Sequence, residues 1–201
     1  MSPDEMLRIA DALHDEARAV AQDLDLMDRL CIHGSPHFTG SATLGLMVRR
    51  DLDLIVLCDK LDETAQARAL APIFNRDDIA VWAAYSERDA QDPTAARDIV
   101  RFRWERPARA TWNIDITFWA ADGWKPRGTR DLEGQLATTL ARITPEVRLA
   151  ILEIKHAIAD LPEYGSRFGS AELYRAVMDD GIRTPAEFRQ HLMDHDAAAR
   201  H

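Results

Sequence analysis

Asp51 and Asp53 open the run Asp51-Leu52-Asp53-Leu54-Ile55-Val56-Leu57, and their spacing is what gives them meaning. So aliphatic a run reads as a strand, in which alternate side chains share a face. The two carboxylates therefore point one way, and Leu52 and Leu54 the other. Like charges held together beside an apolar run repel each other and resist burial. A hard divalent cation resolves that conflict, because Mg²⁺ takes one or two carboxylates and completes its shell with water and substrate phosphates. The chemistry to which the pair points is the handling of phosphate groups.

Nine residues separate Asp51 from the pair Gly40-Ser41. Glycine at a turn lets a phosphate approach the main chain, and serine adds a hydroxyl donor. A third acid stands in Trp112-Asn113-Ile114-Asp115-Ile116-Thr117-Phe118-Trp119, where Ile114, Ile116 and Phe118 alternate with Asn113, Asp115 and Thr117. That alternation predicts a strand with one apolar face and one face carrying the acid. Beside the first strand, at the roughly 5 Å spacing of paired strands, three carboxylates would meet around a volume fit for metal ions and a triphosphate.

A Gly-Ser turn, a spacer of this length and Asp-x-Asp together resemble the nucleotidyltransferase superfamily, the fold of DNA polymerase β and of the kanamycin and lincosamide nucleotidyltransferases. Residues 39–57 carry the resemblance, and Asp115 fits its third carboxylate. It implies an α+β fold: a nucleotidyltransferase-type mixed β-sheet with flanking helices over residues 1–125, then a C-terminal helical domain over 126–201. It also implies two Mg²⁺ ions held by Asp51, Asp53 and Asp115, with Gly40 and Ser41 on the phosphates. Asp115 would complete the second metal site or act as general base. Lys155, extended from the polar face of its helix, would reach across a cleft to a phosphate. The expected reaction moves a nucleoside monophosphate, AMP from ATP in the first instance, to a hydroxyl of a small molecule, with aminoglycoside-like or lincosamide-like antibiotics as the natural acceptors. Two alternatives stand beside it: adenylation of a partner protein, as in toxin–antitoxin-type pairs, and a non-catalytic nucleotide-binding regulatory module.

Several neighbours are secondary candidates. Arg49 and Arg50, just before the acidic pair, could meet phosphates, and Glu105 and Glu153 could serve as bases. Gly34-Ser35 is a second Gly-Ser pair, but Pro36 removes a backbone donor from that loop. His33 and His37 lack metal-ligand spacing with any cysteine and read as structural. Trp112 and Trp119 lie close enough to Asp115 to line a pocket. Tyr164-Gly165-Ser166-Arg167-Phe168-Gly169 reads as a connection between helices.

The elements that must position these residues follow from capping and periodicity. Ser2-Pro3-Asp4-Glu5 is a helix start, and Met6, Ile9, Leu13, Val20, Leu24 and Met27 continue an amphipathic helix to about Leu30. Asp62 to Phe74 reads as a helix, Ile79 to Tyr85 as a strand, and residues 86–98 as a solvated connector or weak helix. Ile99 to Trp104 and Thr111 to Trp119 form a hairpin around Arg106-Pro107-Ala108-Arg109. From about Asp131 the pattern is helical. Thr144-Pro145-Glu146 starts a helix striped by Val147, Ile151, Ile154, Ile158 and Leu161; Ser170 to Met178 is a second, closed by Gly181; and Thr184-Pro185-Ala186-Glu187 starts a third. A short Ala-rich tail follows Asp194.

At 201 residues the chain can bury a substantial core. A formal net charge of −9 disfavours extended contact with a nucleic-acid backbone and leans toward a cationic small substrate. Cys31 and Cys58 form neither a zinc pattern nor a disulfide framework, which suits a reducing cytoplasm. Neither a signal peptide nor a membrane span is indicated. A homodimer is compatible with the sequence but not marked in it.

Overall fold

The computed structural model describes residues 1–88, 96–105, 110–120 and 132–198. The domain boundary drawn at residue 125, the hairpin tip at 106–109 and most of the connector drawn over 86–98 lie outside the described residues.

Ser2 caps helix α1 (Pro3–Asp23), its hydroxyl accepting from the Glu5 N–H at 3.2 Å. The expected single helix to Leu30 is broken at Asp25, whose left-handed φ of 52° starts a second helix, α2 (Leu26–Cys31). Leu24 and Leu26 are both fully buried. Two residues apart on one helix they would face opposite ways, so the break is what lets both enter the core.

A five-stranded sheet follows, built from β1 (Ser35–Phe38), β2 (Asp51–Cys58), β3 (Ile79–Glu87), β4 (Arg97–Trp104) and β5 (Trp112–Ala120) in the order β1-β2-β5-β4-β3. Strand β2 runs parallel to β5 and antiparallel to β1, and β4 is antiparallel to both β5 and β3. Burial in β2 alternates strictly, so Leu52, Leu54, Val56 and Cys58 face the core. Ile114, Ile116 and Phe118 of β5 and Val100, Phe102 and Trp104 of β4 join them there. Helices α1, α2 and α4 (Glu63–Phe74) cover that face, α4 being capped by Asp62. The other face carries the aspartates. The hairpin is as the alternation predicts, while β3 and β4 each extend two residues into the segment read as a connector.

Gly34 leads into β1 so close to β2 that a Cβ would stand 2.1 Å from the Leu57 carbonyl oxygen. This glycine is fixed by strand packing and leaves Gly40-Ser41 as the pair at the mouth of the aspartate face. That pair opens α3 (Gly40–Leu44), preceded by Thr39 in extended backbone and closed by Gly45 at a φ of 67°.

Three helices, α5 (Leu132–Arg142), α6 (Pro145–Ile158) and α7 (Ser170–Met178), precede α8 (Pro185–Ala198). Val147, Ile151, Ile154, Leu173, Val177 and Phe188 build a second apolar cluster, and Leu44 and Leu46 from the sheet-bearing half belong to it. No described helix is long and apolar enough to cross a membrane.

Candidate active site

Register decides which carboxylates meet. Asp53 on β2 lies directly opposite Asp115 on β5, and Asp51 opposite Asn113. The next strand continues both rungs, since Arg101 on β4 pairs with Asp115 and Arg103 with Asn113. Side chains level on adjacent strands share a face. The aspartate face therefore carries two rows, Asp53-Asp115-Arg101 and Asp51-Asn113-Arg103.

The Arg101 Nε donates to Asp115 Oδ2 at 2.8 Å, and its guanidinium stands over the Tyr85 ring at 5.7 Å. On the other flank, Arg49 Nη2 is 3.7 Å from Asp51 Oδ2. Arg49 also donates to the Ala159 carbonyl at 3.1 Å and lies 4.9 Å over the Tyr164 ring, so it joins the acidic strand to the end of α6. Arg50 turns away to Glu16 of α1 and is not at the site. Trp112 is wholly buried and donates to Glu16 at 3.1 Å, and Trp119 is buried beneath Arg97, so the pocket expected from these tryptophans is not formed by Trp112. No described contact joins Glu105 or Glu153 to the aspartates.

Gly40 presses on the site from above. At a φ of 59° it occupies the left-handed region, and a Cβ there would fall 2.7 Å from Asp53 Oδ2. Only glycine leaves the carboxylate in place.

Lys155 does not extend from a polar face. Its position four residues after Ile151 and three before Ile158 puts it in the apolar stripe of α6, and it is 3% exposed. The ammonium donates to Ser41 Oγ at 2.6 Å, the Leu46 carbonyl at 2.8 Å and the Tyr174 hydroxyl at 3.2 Å. Ser41 Oγ and Tyr174 OH are themselves 3.1 Å apart. Further ties hold the same loop: His14 Nδ1 lies 2.6 Å from the Ala42 carbonyl, and Arg148, which also pairs with Asp11 of α1, donates to the Gly45 carbonyl at 3.2 Å. Helices from both ends of the chain thus fix the Gly-Ser loop over Asp53.

The electrostatics match this crowding. Burial, and then the charges of Asp51 and Asp115, push the Asp53 carboxyl up to about 7, against the pull of Lys155 and Arg101. Asp115 is also raised, by burial first, with Arg101 opposing. Burial lowers Lys155 to about 8 although Asp53 and Asp51 favour its charge. Among the described residues no three His, Cys, Asp or Glu groups converge closely enough to enclose a metal ion, and Asp115 is engaged by Arg101 instead. Asp51 and Asp53 still offer adjacent hard oxygens, the donor set that Mg²⁺ prefers.

The residues that sequence reasoning passed over are Arg101, Tyr174 and His14. Alternation in Arg101-Phe102-Arg103-Trp104 was the signal that could have placed two arginines on the face opposite the core, in the hairpin strand beside Asp115. Tyr174 and His14 carry no local signal.

Strand order, the parallel β2–β5 pair and the flanking helices define a nucleotidyltransferase-type fold. Among solved structures the chain is similar to that of a cytoplasmic RNA terminal U-transferase, with a TM-score of 0.51 and 17% identity over 87% of this chain and 53% of that one. The likeness is one of fold, and the chain spans about half the length of that relative. No protein-family model matches the chain, and no curated protein matches it significantly.

Proposed function

We propose that the chain is a nucleotidyltransferase that moves a nucleoside monophosphate from a nucleoside triphosphate, ATP being the first candidate, to a hydroxyl of a small molecule. The observation that carries this reading is the seating of Gly40-Ser41 over Asp53, in register with Asp115 and one strand repeat from Asp51. The solved relative acts on RNA. For this chain the acidic balance favours a small acceptor over a nucleic-acid track. Residues 1–125 would form the catalytic domain and 126–201 a helical domain that supports its loop.

Mg²⁺ bound at Asp51 and Asp53 would offset the charge of the triphosphate and of the in-line transition state. The protein's own residues do the rest. Gly40 and Ser41 seat the phosphates, and buried Lys155 holds the Ser41 hydroxyl in place and adds its positive field. Asp115 accepts the acceptor's proton through the oxygen that Arg101 does not hold. The acceptor oxygen then bonds to the α-phosphorus, and the bond from that phosphorus to the bridging oxygen breaks. Its electron pair leaves with pyrophosphate.

Calorimetric titration of ATP, CTP, GTP and UTP, with and without Mg²⁺, tests the reading. One triphosphate should bind in a Mg²⁺-dependent manner, and Asp51→Ala/Asp53→Ala should weaken it at least about tenfold, the loss of roughly 1.4 kcal/mol or more. Absence of binding to all four would overturn the reading.

Lys155→Met provides an internal check. It retains most of the volume but leaves Ser41 and the Leu46 carbonyl without the ammonium. Loss of the charge-assisted bond predicts a roughly tenfold or larger fall in transfer rate. Thermal stability should change little, because removing a buried cation also removes its desolvation penalty. Transfer within about twofold of the wild type would show that Lys155 is only structural.

A further inference from the structure

The net charge of −9 leans toward a cationic acceptor, but the local arrangement beside Asp115 points the other way. An open cavity of about 270 Å³ lies on the aspartate face, lined by Asp51, Ala83, Arg101, Arg103, Asn113 and Asp115. The carboxylates occupy one side of it and two guanidinium groups the other. Arg103 is exposed and, among the described residues, has no hydrogen-bond or ion-pair partner. Arg101 commits its Nε to Asp115, which leaves the four N–H groups of its two terminal nitrogens. Ala83, level with Arg101 on the edge strand, leaves the end of the row unfilled. The phosphate-facing loop at Gly40 stands on the opposite flank, beyond Asp53. The backbone of the arginine strand is therefore one spacing, roughly 5 Å, from that of Asp115 and two, roughly 10 Å, from that of Asp51 and Asp53, on the side away from the triphosphate, while the Arg101 side chain itself reaches Asp115.

We infer that the acceptor is a small anionic hydroxyl compound of the sugar-phosphate or nucleoside-phosphate type, its phosphate held by Arg103 and Arg101 while its hydroxyl lies at Asp115. Planar guanidinium groups match phosphate oxygens two at a time, and this is the strong form of the contact. Two such groups at one point suit a single phosphate rather than a long polyanion, which needs a continuous basic track. An acceptor held this way would present its hydroxyl to Asp115 at the distance of a sugar ring from its phosphate. The inference names the acceptor of the reaction proposed above and rests on that reading.

Arg103→Ala and Arg103→Glu test it, since an exposed strand residue tolerates both without loss of fold. Ribose 5-phosphate and ribose are titrated calorimetrically into the wild type and both variants without nucleotide, and the four triphosphates are titrated separately with Mg²⁺. The wild type should bind ribose 5-phosphate but not ribose. Arg103→Ala should weaken that binding about tenfold or more, Arg103→Glu should abolish it, and triphosphate affinity should stay within about threefold of wild type. In steady state, the KM of a phosphorylated acceptor should rise in Arg103→Ala with kcat retained. Equal binding of ribose and ribose 5-phosphate, or unchanged sugar-phosphate binding in both variants, would overturn the inference. So would transfer confined to an oligoribonucleotide with affinity growing with its length. Sugar-phosphate binding that depends on Arg103, together with no triphosphate binding, would sink the transferase reading and leave the phosphate subsite standing.

Discussion

Replacing Asp53 with asparagine should give a protein that melts higher than the wild type at pH 8 and has lost transfer by at least about a thousandfold, as expected when a transition-state charge ligand is removed. The stability half of the prediction follows from the raised carboxyl. With its pKa near 7 in the folded chain against 3.8 when unperturbed, Asp53 holds a proton between these values that the unfolded chain has released. Folding stability therefore falls as pH rises through this window, then levels above it. The difference between 3.8 and about 7 corresponds to about 4 kcal/mol, and asparagine, which cannot ionise, escapes most of it. The two proteins should have similar melting temperatures near pH 4 and diverge progressively to pH 7, with the variant ahead. Thermal melts across pH 4–8, paired with single-turnover transfer assays, read both halves. A variant that melts below wild type at pH 8, or that keeps a tenth of the activity, contradicts the site as described.

Gly40→Ala should separate strain from function when measured beside Gly165→Ala. Both glycines have positive φ, 59° and 86°, so each alanine brings roughly 1–2 kcal/mol of backbone penalty. Around Gly165 a Cβ meets nothing within 4 Å, whereas at Gly40 it meets the Asp53 carboxylate. Displacing that group by the order of an ångström predicts about a hundredfold loss of transfer in Gly40→Ala alone. Denaturation midpoints should shift by similar amounts in the two variants while initial rates diverge. Rates within about threefold of each other would mean that the contact with Asp53 does not matter to the reaction.

Much of this site was legible because strand alternation is unambiguous where one face is core. Asp51, Asp53 and Asp115 could be assigned to the polar faces of two strands from Leu52, Leu54, Ile114 and Ile116 alone. Alternation is silent on neighbours, however. Nothing local says that β2 lies parallel to β5, or that Arg101 arrives level with Asp115, because pairing depends on contacts distant in sequence. Lys155 was legible but misread: its spacing from Ile151 and Ile158 puts it in the buried stripe, and a charged residue type argued against taking the spacing literally. The break at Asp25 was hidden for the opposite reason, since Leu24 and Met27 fit a continuous helix and only Leu26, two residues from Leu24, does not.

The tie from Lys155 to Ser41 spans 114 residues of chain, and Arg148 reaches back to Asp11 across 137. Closing loops of such length is the slow part of folding, and local helices and hairpins form well before it. During synthesis, the aspartate strands and the Gly-Ser loop therefore leave the ribosome long before the helix that fixes them. A nascent chain that has made β2 and β5 but not α6 would contain every proposed metal ligand and still lack the support beneath its phosphate loop. Any transfer would thus wait for α6 to reach the loop, so that chains without it remain silent.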